Sequence, residues 1–351
     1  MRRGANPLVR YAADFGRSLA EGWDAFWFTP ADPTLLGVLR VLTGLMLLYT
    51  HGVWGLALAD FFGPTGWLDP ALVEAMQRED FTYSFWSWIP PGGMGLAHAL
   101  AMVVLGLFTL GLGTPVTSVL ALVVAISYAH RVPAALFGLD QINVMLTLYL
   151  AIGPSGRALS VDRWLAGRPA APSARANLAQ RLIQVHMCVI YAFAGISKLQ
   201  GPAWWDGEAM WLAFANLEYQ SADMTWLAWH PWLVNFTTHA SLLWEVSFCV
   251  LIWRPMWRPL MLAGAVVLHV GIGACLGMWT FGLIMLVGCA SFLPNEAVRR
   301  LVAGLFPDRE APRPAAAAPS DPPRAAIDRP GHLGAPRTIV LNGNGRGQPR
   351  S

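Results

Sequence analysis

Long apolar runs separated by short polar stretches dominate the chain and predict helices that cross a membrane. A membrane-spanning α-helix needs about 20 mostly apolar residues, and most of the runs reach roughly that length. The fourth and eighth runs are shorter than the rest. The pattern predicts an all-α, polytopic membrane bundle of eight transmembrane helices, at about 35–55, 95–112, 115–136, 139–153, 179–199, 232–252, 257–275 and 278–293.

The two ends of the chain differ from this apolar region. Residues 1–34 alternate charged and aromatic positions, which predicts an amphipathic segment at the inner membrane interface. Residues 35–295 form the predicted transmembrane domain. Residues 307–351 are rich in Pro, Ala and Arg, and such a segment cannot bury a core. We therefore predict a disordered tail there.

Composition supports an integral membrane protein and excludes an ordinary soluble domain. Charged residues make up 13% of the chain and the mean hydropathy is +0.44, whereas soluble domains carry about 25% charged residues. The cysteines lie within predicted helices without a CxxC pair, so they are interpreted as packing residues. The sequence predicts no metal site and no nucleic-acid partner.

Arginine positions predict the orientation of the helices. Arginines occur in the N-terminal lead and after the fourth, sixth and eighth helices, whereas residues 201–230 carry four acidic residues and no Lys or Arg. Because cytoplasmic loops are enriched in Lys and Arg, both termini are predicted to be cytoplasmic. The composition favours a bacterial source, so we predict a multi-pass inner-membrane protein whose site faces the periplasm.

Ionisable residues at membrane depth are costly and often functional. Arg40 in the first helix and Glu245 in the sixth have matching estimated depths, which predicts a structural ion pair. A second set lies near the outer helix ends and predicts an outward-facing polar cavity. Its members are His51, His98, His130, Asp140 and Lys198, with His239 and His269 somewhat deeper.

Lys198 is the only lysine among the 24 Lys and Arg residues, and the other 23 are arginine. Gln184 and Tyr191 precede it at intervals of seven and share its helix face. Lys198 could anchor the helix at the interface, with Trp204 and Trp205 as an aromatic belt, but arginine does that equally well. Lysine alone can become a neutral amine on burial. We therefore interpret it as a catalytic base.

Three stretches resemble the vitamin K-dependent gamma-carboxylases and their bacterial relatives, the HTTM-domain membrane proteins. "IQVHMCVIYAFAGISKLQGPAWWDGEAM" (183–210) resembles the core motif of this family. "FTPADPTLLGVLRVLTGLMLLY" (28–49) resembles its first helix, and "LHVGIGACLGMWTFGLIML" (268–286) resembles its late, His-bearing helices. The resemblance covers roughly 20–295.

The resemblance implies that Lys198 is the lysine that deprotonates reduced vitamin K or menaquinol. In these carboxylases the quinol is then oxygenated by O2 to its epoxide, while CO2 adds to the gamma carbon of a peptide or protein glutamate. Gln184, Tyr191, Trp205 and His269 are expected to bind the substrate. The site is expected to face the lumen, and membrane lipid and the quinol are the expected partners.

Two other interpretations remain open at this point. The chain could be a non-enzymatic, multi-pass protein that binds a quinone or a lipid, with Lys198 paired to Asp140, Glu208 or a lipid phosphate. It could also be a transporter, although the sequence contains no inverted repeat and no pair of broken helices.

Overall fold

The computed structural model describes residues 7–77, 82–167 and 171–305. These residues form an all-α structure, and within them the only extended pairing is an isolated bridge between Ala31 and Ser173. The tail predicted at 307–351 lies outside the described residues, as do residues 1–6.

Each of the eight predicted apolar runs forms an α-helix, and shorter helices connect them. The fourth and eighth are short, with 15 and 11 residues. In chain order the α-helices are α1 (Pro7–Phe28), α2 (Thr34–Leu56), α3 (Leu58–Phe62), α4 (Pro70–Met76), α5 (Met94–Leu110), α6 (Thr114–Arg131), α7 (Gly138–Ile152), α8 (Val161–Ala166), α9 (Ala174–Leu199), α10 (Pro202–Trp205), α11 (Ala209–Phe214), α12 (Pro231–Leu251), α13 (Arg258–Leu276), α14 (Trp279–Cys289) and α15 (Asn295–Leu305).

Short 3₁₀-helices complete the connections. They lie at Phe85–Trp88, Pro91–Gly93, Pro133–Ala135, Ser155–Arg157, Thr225–Trp229 and Ala290–Phe292.

Four helices within the described residues are long and apolar enough to cross a membrane: α2, α5 with its preceding turn, α9 and α13. The segments Trp279–Phe292 and Asn295–Leu305 pass the same test together, but they are bent by 113°. If they form one broken span, the number rises to five. The apolar helix α7 is too short to be included. The structure is therefore that of a helical membrane protein with four to five membrane-capable helices.

Consecutive long helices run in opposite directions. In the α2–α5 pair, Gly44 packs on Thr109, while Gly55, farther along α2, packs on His98, which comes earlier in α5. The ends predicted to be cytoplasmic also meet. The Trp253 ring lies 5.5 Å from the rings of both Phe26 and Phe292, so α12, the end of α1 and the turn after α14 share one end of the bundle.

The amphipathic helix α1 exposes an apolar stripe at helical spacing. Leu8, Tyr11, Phe15, Leu19 and Trp23 are all exposed, and their intervals of three and four residues place them on one face. The end of α1 is held to α9, because Asn177 Nδ2 donates to the Phe26 carbonyl over 2.7 Å. An exposed apolar stripe of this kind suits the membrane surface, and the interfacial placement of α1 stays a prediction.

The predicted ion pair between Arg40 and Glu245 is wrong. Arg40 is fully buried, and its guanidinium donates to the backbone carbonyls of Ser155, Ala158 and Leu159. The planar five-donor fork of arginine suits several carbonyls at once. Arg40 therefore fixes the turn between α7 and α8, and Glu245 has a different partner.

Candidate functional site

The partner of Glu245 is Lys198, and the two form an ion pair between α9 and α12. Gly195 sets this register. A Cβ placed on Gly195 would come within 2.8 Å of Val246 Cγ2, so only glycine lets the two helices approach this closely. Lys198 lies one turn beyond Gly195, and Glu245 precedes Val246. The Lys198 ammonium therefore donates to Glu245 Oε2.

The two members of the pair differ in exposure. The Glu245 side chain is 8% exposed and that of Lys198 is 27% exposed, so the carboxylate lies inward and the ammonium reaches outward. The Lys198 Nζ lies 5.2 Å from the centroid of the Trp204 ring, within range of a cation–π interaction. Trp205, the predicted binding residue, is instead exposed and donates from Nε1 to the Leu199 carbonyl over 2.7 Å. Trp205 therefore satisfies a backbone carbonyl in the last turn of α9.

A second polar group lies deeper on the same face of α9. The Tyr191 hydroxyl lies 2.6 Å from His269 Nε2 on α13 and 3.3 Å from Cys289 Sγ on α14. Tyr191, His269 and Cys289 are all buried. Along the helix axis Tyr191 lies about 10 Å from Lys198. The structure therefore joins two predicted residues, Tyr191 and His269, in one hydrogen-bonded pair.

Aromatic rings and unsatisfied nitrogens surround the Tyr191–His269 pair. The rings of Phe248 and Trp244 lie 4.3 Å and 5.1 Å from the Tyr191 ring. Two buried nitrogens, His269 Nδ1 and Trp244 Nε1, have no hydrogen-bond partner among the described residues. Buried polar groups are normally satisfied. The two nitrogens are exceptions among the described residues, and the Trp244 ring edge packs on Gly264, where an added Cβ would come within 2.2 Å of Nε1.

The Lys198–Glu245 pair and the Tyr191–His269 pair interact electrostatically. The Lys198 charge reaches His269, and the Glu245 charge reaches Tyr191. The candidate site is therefore the cluster of Lys198, Glu245, Tyr191 and His269, walled by Trp204, Trp244 and Phe248.

Gln184 lies away from this cluster, although it shares a helix face with Lys198. Its Nε2 donates to the Ser291 carbonyl over 2.7 Å, and its Oε1 accepts from Arg181 over 2.9 Å. Fourteen residues of helix separate it from Lys198 by about 21 Å. Gln184 ties α9 to the turn after α14, and its amide is already used.

The titratable residues expected to line a single outward-facing cavity are spread over the structure. His130 and His239 are held separately, by the Tyr83 and Asn235 carbonyls. His51 on α2, His98 on α5 and Asp140 on α7 form one group around Tyr128 of α6, with His98 Nδ1 2.7 Å from the Tyr128 hydroxyl. Lys198 and His269 lie in the other group. Depth along each helix does not determine which residues of neighbouring helices lie level with each other. The Gly195–Val246 contact shows instead that Glu245 lies level with Lys198.

Sequence reasoning missed Trp244, Phe248 and Cys289, and it paired Glu245 with Arg40 rather than with Lys198. Glu245 had a usable signal, since it is the only acidic residue in its apolar run, as Lys198 is the only basic one in the second half of α9. Cys289 had none, because a buried cysteine usually serves packing.

The pair has a direct chemical consequence. The hydrogen bond between the two groups places the Glu245 carboxylate where it can exchange a proton with the Lys198 amine. The described residues contain no group of three or more His, Cys, Asp or Glu side chains placed to hold a metal.

The helical architecture and the apolar helices define a membrane protein with a lysine-based polar site inside the bundle. A family model for the HTTM domain matches residues 28–296. The chain belongs to the HTTM-domain family, a domain found in vitamin K-dependent gamma-carboxylase-like proteins. Neither the curated proteins nor the solved structures gave a match.

Proposed function

We propose that this protein is a quinol-dependent membrane oxygenase or carboxylase in which the Lys198–Glu245 pair accepts the first proton. The observation that carries the proposal is this ion pair inside the bundle of a chain with an HTTM domain. Reduced vitamin K or menaquinol, together with O2 and CO2, would supply the oxygenation and carboxylation chemistry when bound. A peptide or protein glutamate is the proposed acceptor.

The chemistry of the residues around Tyr191 supports an aromatic hydroquinone as the ligand. His269 Nδ1 and Trp244 Nε1 are buried without partners, and Trp244 and Phe248 provide flat walls beside Tyr191. Aromatic walls with a few convergent polar groups are typical of cofactor sites. Lys198, Tyr191, His269 and Trp244 would hold the ring and its hydroxyl groups.

Different side chains of the site would accept the proton and orient the groups that accept it. Glu245 would take the proton of the Lys198 ammonium, and the neutral Lys198 amine would then accept a proton from a bound hydroxyl group. Trp204 would hold the Lys198 side chain through its ring. The Tyr191–His269 hydrogen bond would keep the imidazole oriented with Nδ1 toward the ligand.

We further propose that the eight helices formed by the apolar runs all cross the inner membrane of a bacterium, with both termini cytoplasmic. The alternation of helix directions and the meeting of the arginine-rich ends support this arrangement. Lys198 lies in the last turn of α9, at the end opposite to those contacts. The site would therefore face the periplasm.

Epoxide formation tests this function. The purified protein in detergent is given reduced menaquinone or vitamin K with O2, and the epoxide is measured by mass spectrometry. We expect epoxide from the parent protein and none from a folded Lys198→Ala variant. A quinol that binds to the parent without epoxide formation would contradict the enzymatic function.

The ion pair also favours a second candidate, a non-enzymatic protein that binds quinones or lipids. A lysine held by a carboxylate is charged and can serve helix packing alone. In that case Lys198→Ala would change stability and leave quinol binding intact, with no epoxide from either protein.

A further inference from the structure

Two arginine side chains meet at the turn between α12 and α13. The Arg181 guanidinium, on α9, lies 5.6 Å from the centroid of the Trp253 ring. At the start of α13, Arg258 donates from Nε to the Ile252 carbonyl over 3.3 Å. Because Ile252 and Trp253 are neighbours in the chain, both arginine side chains lie against the same turn.

The positive charges at this turn are not balanced by a carboxylate. The charge of Arg258 acts on Arg181, and among the described residues neither of them forms an ion pair. Arg254 is exposed in the same turn and adds a third positive charge. Like charges repel more strongly beside apolar helices, where the dielectric constant is low. An anion bound at the turn would offset this repulsion.

Both arginines also keep unused hydrogen-bond donors. Arg181 uses Nε and one terminal nitrogen in hydrogen bonds, and its other terminal nitrogen has no partner among the described residues. Both terminal nitrogens of Arg258 likewise lack a partner there. None of these three nitrogens is fully buried, so a ligand can reach them. By contrast, Arg40 and Arg131 each donate to three backbone carbonyls.

The surroundings of the turn favour a lipid over a free anion. Met256, Trp257 and Leu260 are exposed beside the arginines, and α13 is apolar and long enough to cross a membrane. Tryptophan is typical of the headgroup level of a membrane, and basic pockets between membrane helices bind anionic headgroups. The exposed apolar side chains offer contacts for acyl chains.

We propose that the turn between α12 and α13 binds an anionic phospholipid, such as phosphatidylglycerol, with its phosphate between Arg181 and Arg258. The phosphate would accept hydrogen bonds from both guanidinium groups. From Arg181 to Lys198 the helix α9 extends by about 25 Å. The lipid site is therefore separate from the Lys198 cluster and does not depend on the function proposed for that cluster.

The test measures phosphatidylglycerol binding to the full-length protein in a neutral detergent by native mass spectrometry. We expect Arg258→Gln to bind this lipid about tenfold more weakly than the parent, because charge-assisted hydrogen bonds to the phosphate are lost. Arg157→Gln is the matched control, since Arg157 is exposed, and it should bind like the parent. Unchanged binding by Arg258→Gln, or equal losses in both variants, would overturn the proposal.

Thermal unfolding of the parent covers the case in which Arg258→Gln fails to fold, and it separates a lipid from a free anion. Phosphatidylglycerol should raise Tm by about 2 °C or more, whereas phosphatidylcholine and inorganic phosphate at the same concentration should not. No rise in Tm, or an equal rise with phosphatidylcholine or with inorganic phosphate, would overturn the proposal.

Discussion

Glu245 stands in an apolar helix and meets the only lysine of the chain. Without Glu245, the Lys198 side chain would contact only the Trp204 ring and the solvent-accessible end of α9. With it, the amine is held in place next to a group that can take its proton. The chemistry proposed for Lys198 therefore depends on a neighbour 47 positions away in the sequence.

Replacing Glu245 with Gln should destabilise the protein by roughly 2 kcal/mol. Removing one partner of a fully buried pair costs about 3–5 kcal/mol, and we expect less here because Lys198 reaches solvent. Thermal unfolding in detergent measures the change. Glu218→Gln is the matched control, since Glu218 is exposed. Equal stability of both variants would show that the ion pair contributes nothing.

At the level of elements, close helix contacts set the geometry of the site. Gly195 lets α9 approach α12. Arg40 holds the turn between α7 and α8, and Asp162 on α8 ties this region to α6. Asp162 accepts from the backbone N–H groups of Gly113 and Thr114 over 2.8 Å and 2.7 Å, and so caps the beginning of α6. These contacts bring together parts of the chain that are far apart in sequence.

Gly195→Ala should separate α9 from α12 and weaken the Lys198–Glu245 pair. The new methyl group would meet Val246, whose backbone cannot give way easily. Overpacking of this kind costs about 1–3 kcal/mol, measured by thermal unfolding. Gly106→Ala on α5 is the control, because a Cβ there meets nothing within 4 Å. If Gly195→Ala is as stable as the control variant, α9 and α12 do not pack as closely at Gly195 as described.

Asp162→Asn should show a pH-dependent loss of stability. Burial alone raises the pKa of Asp162, but hydrogen bonds from Thr114 and Gly113 and the charge of Arg40 outweigh it, and the pKa is lowered. The stabilisation is therefore present above the unfolded pKa near 4 and is lost as the pH falls through the folded pKa.

Unfolding measured at pH 7 and at pH 3 tests the direction of this pH dependence. The parent should be more stable than Asp162→Asn at pH 7, and the difference should shrink at pH 3. The exposed Asp60→Asn is the control. A difference that grows toward acid would contradict the assignment.

On the scale of the whole molecule, the described residues form a helical bundle, and Trp253 brings the ends of α1, α12 and α14 together. We expect eight crossings, so a fusion after Ala166 and one after Leu217 should lie on opposite sides of the membrane. Green fluorescent protein should fluoresce at the first position, and alkaline phosphatase should be active at the second. Both reporters active at the same position would contradict this topology.

Much of this architecture could be predicted from the sequence, whereas the pairing within the site could not. Each apolar run became a helix because length and hydropathy are local properties. The Arg40–Glu245 pair was wrong because depth along one helix says nothing about the register between two, which Gly195 sets through a single close contact. Similarly, the seven-residue spacing predicts that Gln184 and Lys198 share a helix face, but they lie about 21 Å apart along the helix axis and contact different parts of the structure.

Turnover of a Lys198→Arg variant is the most direct test of the account. Arginine keeps the positive charge and can still pair with Glu245, but it does not become a neutral amine at ordinary pH. We predict that epoxide formation from reduced vitamin K falls by about 100-fold or more, while the variant remains folded. Full turnover by Lys198→Arg would contradict the role of Lys198 as the base.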